Sequence, residues 1–230
     1  MSGDRGLILP VRLIVSDGDD LTFVCKADWG VPLAALFLRN LLNQKDQPFP
    51  LTACAGIALV HNHFPLYSAY EIAESCCKNA KKKWYASQDK DSLCCLDYQL
   101  VRGTHIRDFD EMRQSHYAFG SSLEKLSRRP YTVTCQKNMI CDDMFDKLDS
   151  ALSQMGKEAD ADSPDTWPRT RLKHLYQAMR GDEGKKELLK QEYLSRGFDI
   201  EEISFDVLEL MEYYDISIFQ GYAYTEEGCR

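Results

Sequence analysis

Three carboxylates are clustered near the amino terminus, in the run Asp17, Gly18, Asp19 and Asp20. Adjacent carboxylates repel each other when a fold holds them close together and partly desolvated, so they need a neutralising partner. A divalent cation such as Mg²⁺ or Mn²⁺ neutralises them well and can polarise a bound phosphate at the same time. The run therefore predicts a metal site with Asp17, Asp19 and Asp20 as its ligands.

The same run has a second explanation, because Asp and Gly dominate hairpin turns for conformational reasons alone. Apolar, β-branched segments flank it at residues 7–16 and 21–26. This pattern predicts two strands joined by a tight acidic turn. Because both segments are apolar at nearly every residue, we expect the hairpin to lie inside a sheet that helices cover.

The elements that follow the hairpin alternate between helical and extended patterns. Residues 32–43 and 66–84 have the apolar spacing of helices, and residues 51–60, 93–101 and 131–135 have the character of strands. This order predicts an α+β fold.

Residues 11–83 resemble the palm domain of the large CRISPR polymerase/cyclase subunit of type III effector complexes. That family carries a GGDD signature in such a hairpin, and residues 17–20 match it here. The segment 54–61 is similar to the next strand of the family, and the segment 68–74 to its next helix, which ends here in the lysine-rich run 80–83. The resemblance implies a partial ferredoxin-like palm with an antiparallel or mixed sheet.

The resemblance also implies a function, namely ATP binding with Mg²⁺ or Mn²⁺ and synthesis of cyclic oligonucleotide signals in antiviral defence. Asp19 and Asp20 would hold the metal, and Gly18 would lie against the nucleotide. Asp17 replaces the first glycine of the signature, so it either adds a metal ligand or crowds the triphosphate. The family has a further strand and helix before the hairpin, whereas about ten residues precede it here. We therefore expect either a fragment of a longer protein or a relic that no longer catalyses.

In a ferredoxin-like palm, the strand that leaves the hairpin and the strand after the next helix run parallel, by the usual crossover rule. The following helix then returns and brings Lys81, Lys82 and Lys83 towards the acidic edge. Lys81 or Lys82 would meet a triphosphate there. The alternative is a solvated basic helix end that the helix dipole favours.

Two other groups of residues are weaker candidates for a site. Asp97 is a substitute for the missing palm carboxylate if its strand takes the vacant position, and otherwise an ordinary edge-strand acid. His61 and His63 have the composition of metal ligands but lack partner acids, and the topology places them at the far end of the sheet.

Composition limits the class of partner. A net charge of -8 and a pI near 5.2 argue against a broad nucleic-acid-binding surface. The nine cysteines are odd in number and mostly lie in apolar runs, which favours reduced thiols in a cytoplasmic protein. No apolar run is long enough to span a membrane. The expected partners are a nucleoside triphosphate and other protein subunits or the remainder of a longer chain.

We predict a palm-like α+β domain over residues 1–140 and a helical region over 141–230, with a linker near 156–168. Helical spacing marks the segments 169–179, 185–195 and 205–214. The leading hypothesis is a nucleotide-binding palm with metal-dependent nucleotidyltransferase activity. The alternative is a catalytically degenerate palm that acts as a scaffold or nucleotide sensor in a larger protein or complex. A third hypothesis, related to bacterial diguanylate or adenylate cyclases, requires a homodimer.

Overall fold

The structure is a computed structural model of the 230-residue chain. It describes residues 11–44, 48–103, 109–119, 124–125, 127–135, 143–156, 169–179, 183–195, 204–215 and 217–220. Residues 7–10 of the first predicted strand and residues 157–168 of the predicted linker lie outside these ranges.

Strands and helices alternate in the first part of the chain, and helices dominate the rest. The strands are β1 (Val11–Asp17), β2 (Asp20–Cys25), β3 (Cys54–Leu59), β4 (Leu93–Leu100), β5 (Ala118–Phe119), β6 (Glu124–Lys125) and β7 (Tyr131–Thr134). The helices are α1 (Ala27–Leu42), α2 (Leu66–Ala86), α3 (Phe109–Tyr117), α4 (Phe145–Gly156), α5 (Arg169–Met179), α6 (Glu183–Leu194), α7 (Phe205–Leu210) and α8 (Ser217–Gln220). A 3₁₀ turn at Lys90–Ser92 precedes β4. The predicted α+β class is confirmed.

The main sheet has the order β3-β4-β7, in which β3 pairs parallel with β4 and β7 pairs antiparallel with it. All eight residues of β4 are buried, because β4 is central and both of its faces are covered. Leu96 and Tyr98 of β4 belong to the large core that α1, α4, α5 and α7 complete, whereas Cys95 on the other face packs with Ala80 of α2. The helices α1 and α2 therefore lie on opposite faces of the sheet.

The acidic hairpin is not part of this sheet, which corrects one prediction. The strands β1 and β2 form a separate two-stranded sheet within the described residues. Leu13 is 57% exposed and Ile14 is 46% exposed, and Leu21 and Val24 of β2 are also exposed. An apolar sequence indicates that a strand should be covered, but it does not supply the neighbouring elements that would cover it.

The helices beyond residue 141 share the main core. Leu148, Leu172 and Leu208, from α4, α5 and α7, are buried in the same cluster as Tyr98 and Val133 of the sheet. The region is held to β4 and β7 by apolar contact on one face. In the ranges described, no helix combines the length and apolar character that crossing a membrane requires.

Candidate functional site

The acidic run lies at the tip of the hairpin, as the sequence predicts. Asp17 pairs with Asp20 across a two-residue turn formed by Gly18 and Asp19. Gly18 has a φ of 59°, a left-handed conformation that glycine adopts without strain. A Cβ at this position would meet no atom within 4 Å, so the backbone of the tip is open to an approaching ligand.

The side chains of Asp17, Asp19 and Asp20 are all exposed. Across the part of the chain that is described, no three His, Cys, Asp or Glu side chains converge on a point where a metal ion could bind. The hairpin brings the acids to one tip but does not aim all three at a common centre. Any cation held here must take most of its ligands from elsewhere.

Asp20 lies within electrostatic range of the Cys77 thiol of α2. Burial raises the pKa of Cys77, the positive charge of Lys81 lowers it, and the negative charges of Glu74 and Asp20 raise it further. Cys77 therefore lies within electrostatic range of both Asp20 and Lys81. An acid of the hairpin and a lysine one turn further along α2 thus both act on the same thiol.

Cys54, at the start of β3, also lies within electrostatic range of Lys81. Burial raises the pKa of Cys54 to about 11, and Lys81 acts against this rise. The Cys77 thiol donates a hydrogen bond of 3.4 Å to the Cys54 carbonyl oxygen. The carboxyl-terminal half of α2 thus holds Lys81 near the start of β3.

The three lysines of α2 have different surroundings. Lys81 and Lys82 are exposed, and neither forms an ion pair with another described residue. Lys83 is only half-buried and is committed elsewhere, since it forms an ion pair with Asp143 and donates to the Pro130 carbonyl oxygen at 2.6 Å. Lys81 and Lys82 remain available for an anionic ligand.

Asp97 does not replace the missing palm carboxylate. It is fully buried in the middle of β4, where it accepts hydrogen bonds from Asn79 at 2.7 Å and from Arg113 at 2.8 Å. A buried carboxylate requires such partners, and these two satisfy it. Asp97 therefore ties β4 to α2 and α3, and the sequence alone did not reveal its partners.

His61 and His63 lie in the exposed turn after β3. The backbone N–H of His63 donates to His61 Nδ1 at 3.2 Å, and the His61 ring packs edge-on against Phe64. These contacts stabilise the turn itself.

Sequence reasoning missed a buried charged cluster that joins β4, β7 and α7. Arg129 has a fully buried side chain that lies 3.0 Å from Glu209 and 3.2 Å from Asp206, and it donates to the Tyr98 carbonyl oxygen at 2.7 Å. Tyr131 donates to Asp206 at 2.7 Å, and burial raises its pKa well above the ordinary value. The two acids follow Arg129 and Tyr131 by 75 to 80 residues in the chain. They lie in a helix whose sequence has the pattern of an ordinary core helix, so no local signal predicts the cluster.

A cavity of about 550 Å³ opens beside this cluster, where Arg102 follows β4. Arg102 lies over the ring of Tyr176 at 4.8 Å, and Lys173 pairs with Glu212 at 2.6 Å on its rim. Of the charged residues that line the cavity, Lys173 and Glu212 thus pair with each other, and Glu209 pairs with Arg129. The cavity is lined by α5, by α7 and the residues that follow it, and by Arg102 after β4, whereas Asp20 of the acidic hairpin acts on Cys77 of α2.

No protein-family model matches the chain, and no curated protein is similar to it in sequence.

Proposed function

We propose that this chain is a palm-type nucleotide-binding domain, similar to that of the CRISPR polymerase/cyclase subunit, which binds ATP together with Mg²⁺ or Mn²⁺ at the hairpin tip. Asp19 and Asp20 hold the cation, and Lys81 and Lys82 contact the triphosphate. The observation that supports this proposal most strongly is that Asp20 and Lys81 both act on the Cys77 thiol. An acid and a lysine from separate elements thus share one neighbourhood.

The residues present fit a cation that arrives with its nucleotide. Mg²⁺ is usually held by one or two carboxylates together with phosphate oxygens and water, not by a cage made only of protein groups. The exposed acids of the tip can supply one or two such ligands. The cation would neutralise the phosphates, while Lys81 would orient them from the other side.

Binding of a fluorescent ATP analogue, followed by anisotropy with and without Mn²⁺, tests this proposal. We expect saturable binding that requires Mn²⁺, and a loss of at least about tenfold in affinity in the double variant Asp19→Asn, Asp20→Asn. Lys81→Ala should weaken binding by a similar factor, because a charge-assisted contact to phosphate is lost.

Two control variants separate this effect from a general change in charge. Glu212→Gln removes an exposed acid beside the cavity beyond the end of β4, and Lys173→Ala removes the exposed lysine of α5 that pairs with it. Both should bind the analogue as the wild type does. Binding that is independent of Mn²⁺, or equal losses in the control variants, would contradict the proposal.

Pyrophosphate release from labelled ATP in the presence of Mn²⁺ distinguishes an enzyme from a binding module. Release that disappears in the Asp19→Asn, Asp20→Asn variant would identify a nucleotidyltransferase. The release assay uses the same variants and controls as the binding assay, so the two results are directly comparable.

The second candidate function is a scaffold or nucleotide sensor within a larger protein or complex. The exposed apolar side chains of the hairpin favour it, because Leu13, Ile14 and Val15 are 57%, 46% and 38% exposed. Such a patch is typical of a surface that another protein covers. Binding of ATP with Mn²⁺ but without pyrophosphate release would support this candidate over the enzyme.

A further inference from the structure

The cavity of about 550 Å³ beyond the end of β4 is lined by one cation that has no acidic partner among the described residues. Two of its charged lining residues pair with each other, since Lys173 lies 2.6 Å from Glu212. A third, Glu209, pairs with Arg129 at 3.0 Å. The fourth is Arg102, which forms no ion pair within the described part of the chain.

A stack of two aromatic rings positions the guanidinium of Arg102. The guanidinium carbon lies 4.8 Å from the centroid of the Tyr176 ring, and that ring stacks on Phe205 with centroids 5.0 Å apart. Tyr176 and Phe205 are both buried, so the core holds this platform in place, whereas Arg102 itself is exposed to a ligand. A guanidinium that lies on a ring face keeps the N–H groups at its edge able to donate to paired oxygen atoms.

The rest of the lining combines apolar surface with a polar group. Leu208 and Met211 line the cavity with apolar side chains, and both pack in the main core cluster. Gln177, the residue after Tyr176 in α5, adds an exposed amide. Small-molecule sites are typically cavities of about 300–1,000 Å³ with an apolar lining and a few polar groups. The cavity therefore has room for an organic molecule and not only for an ion.

The two glutamates of the lining select the class of anion. A phosphate monoester carries about two negative charges at neutral pH, and Glu209 and Glu212 would repel it, since Arg102 is the one lining cation without an acidic partner among the described residues. A carboxylate carries a single charge. It also matches the planar fork of a guanidinium through two parallel hydrogen bonds.

We propose that this cavity binds a small organic carboxylate. The carboxylate group pairs with Arg102, and the apolar body of the ligand packs against Leu208 and Met211. The lining shares no residue with the hairpin tip or with Lys81 and Lys82, so this site does not depend on the proposed nucleotide function.

A matched series of small molecules tests the proposal with the full chain. The probe is phenylbutyrate, and each control changes one feature: phenylbutylamine reverses the charge, phenylbutyl phosphate increases the negative charge, and acetate lacks the apolar body. Titrations followed by the amide NMR signals of the labelled protein measure each affinity. We expect saturable binding of phenylbutyrate and at least about tenfold weaker binding of the other three.

Variants of an exposed arginine then test the contact itself. Arg102→Ala should weaken phenylbutyrate binding at least about tenfold, because the paired hydrogen bonds are lost. Arg102→Lys should recover only part of this loss, because an ammonium group has no planar fork. Arg12→Ala is the matched control, since it removes an exposed arginine of β1 that does not line the cavity. Urea unfolding checks that all three variants fold as the wild type does.

The same titrations locate the bound carboxylate. Amide signals of Arg169–Met179 and Phe205–Leu210 should shift with phenylbutyrate, whereas those of Val11–Asp17 should not. Equal binding of the amine, tighter binding of the phosphate, or no saturable binding of phenylbutyrate would overturn the proposal. An unchanged affinity in Arg102→Ala, or an equal loss in Arg12→Ala, would also overturn it.

Discussion

Gly56 of β3 and Cys77 of α2 lie in direct backbone contact. A Cβ built on Gly56 would be 2.9 Å from the Cys77 Cα and closer still to the Cys77 backbone nitrogen and the Ala73 carbonyl oxygen. Backbone atoms cannot move aside as the end of a side chain can. This contact fixes the distance of α2 from the sheet, and with it the height of Lys81 above the start of β3.

Gly56→Ala should therefore destabilise the protein by about 3 kcal/mol or more, because the added methyl group forces α2 away from β3. Urea unfolding measures the change in the free energy of unfolding. Gly30→Ala is the matched control, since its Cβ would meet only the ends of the Ile57 and Leu59 side chains at 3.3 and 3.4 Å. An equal effect of the two substitutions would argue against a close backbone contact at Gly56.

The proximity of Asp20 and Lys81 to Cys77 can be tested without any nucleotide. Lys81→Ala should raise the pKa of the Cys77 thiol, because it removes a positive charge that lowers it, and Asp20→Asn should lower it. The pH dependence of alkylation at Cys77, followed by mass spectrometry of its peptide, measures both shifts. Lys173→Ala serves as the control that should change nothing. Shifts of the same sign in both variants would contradict the placement of the hairpin.

Asp206→Asn should destabilise the fold by about 3 kcal/mol, since it removes one charge from the buried cluster around Arg129. The exposed pair of Lys173 and Glu212 provides the comparison, and Glu212→Gln should cost less than about 1 kcal/mol. Thermal or urea unfolding of the three proteins checks the difference. Similar losses in both variants would mean that the buried cluster adds no more than a surface ion pair.

The carboxyl of Asp149 predicts a pH dependence of stability. Burial raises its pKa above the ordinary 3.8, although a hydrogen bond from Tyr214 and the charge of Arg39 oppose the rise. The folded protein therefore binds this proton more tightly than the unfolded chain. The resulting stabilisation is complete below pH 3.8 and is lost as the pH rises through the folded-state pKa.

Asp149→Asn replaces this titratable carboxyl with an amide that does not bind a proton in this pH range. The free energy of unfolding of the variant minus that of wild type should increase as the pH rises above 3.8, because only wild type loses stability, and should then level off. Urea unfolding at a series of pH values measures the difference between the two proteins. A difference that stays constant across this range would mean that burial does not govern the Asp149 carboxyl.

The sequence by itself determined the types and order of the main elements. Apolar periodicity and turn residues are local signals, and they correctly predict the hairpin around Gly18, the strands β3 and β4 and the helix α2. They also place the three acids at one turn, because a two-residue turn between strands is a local structure. The palm family and its nucleotide chemistry remain predictions.

Tertiary structure decided what surrounds these elements. The apolar hairpin is predicted to be covered, but its burial depends on neighbouring strands that its own residues do not specify. Asp97 is structural because Asn79 and Arg113 reach it from two other elements. The cluster of Arg129 and Asp206 likewise forms only when α7 packs on the sheet. Charge pairing over such separations leaves no periodic mark in the sequence, because only the folded chain brings the partners together.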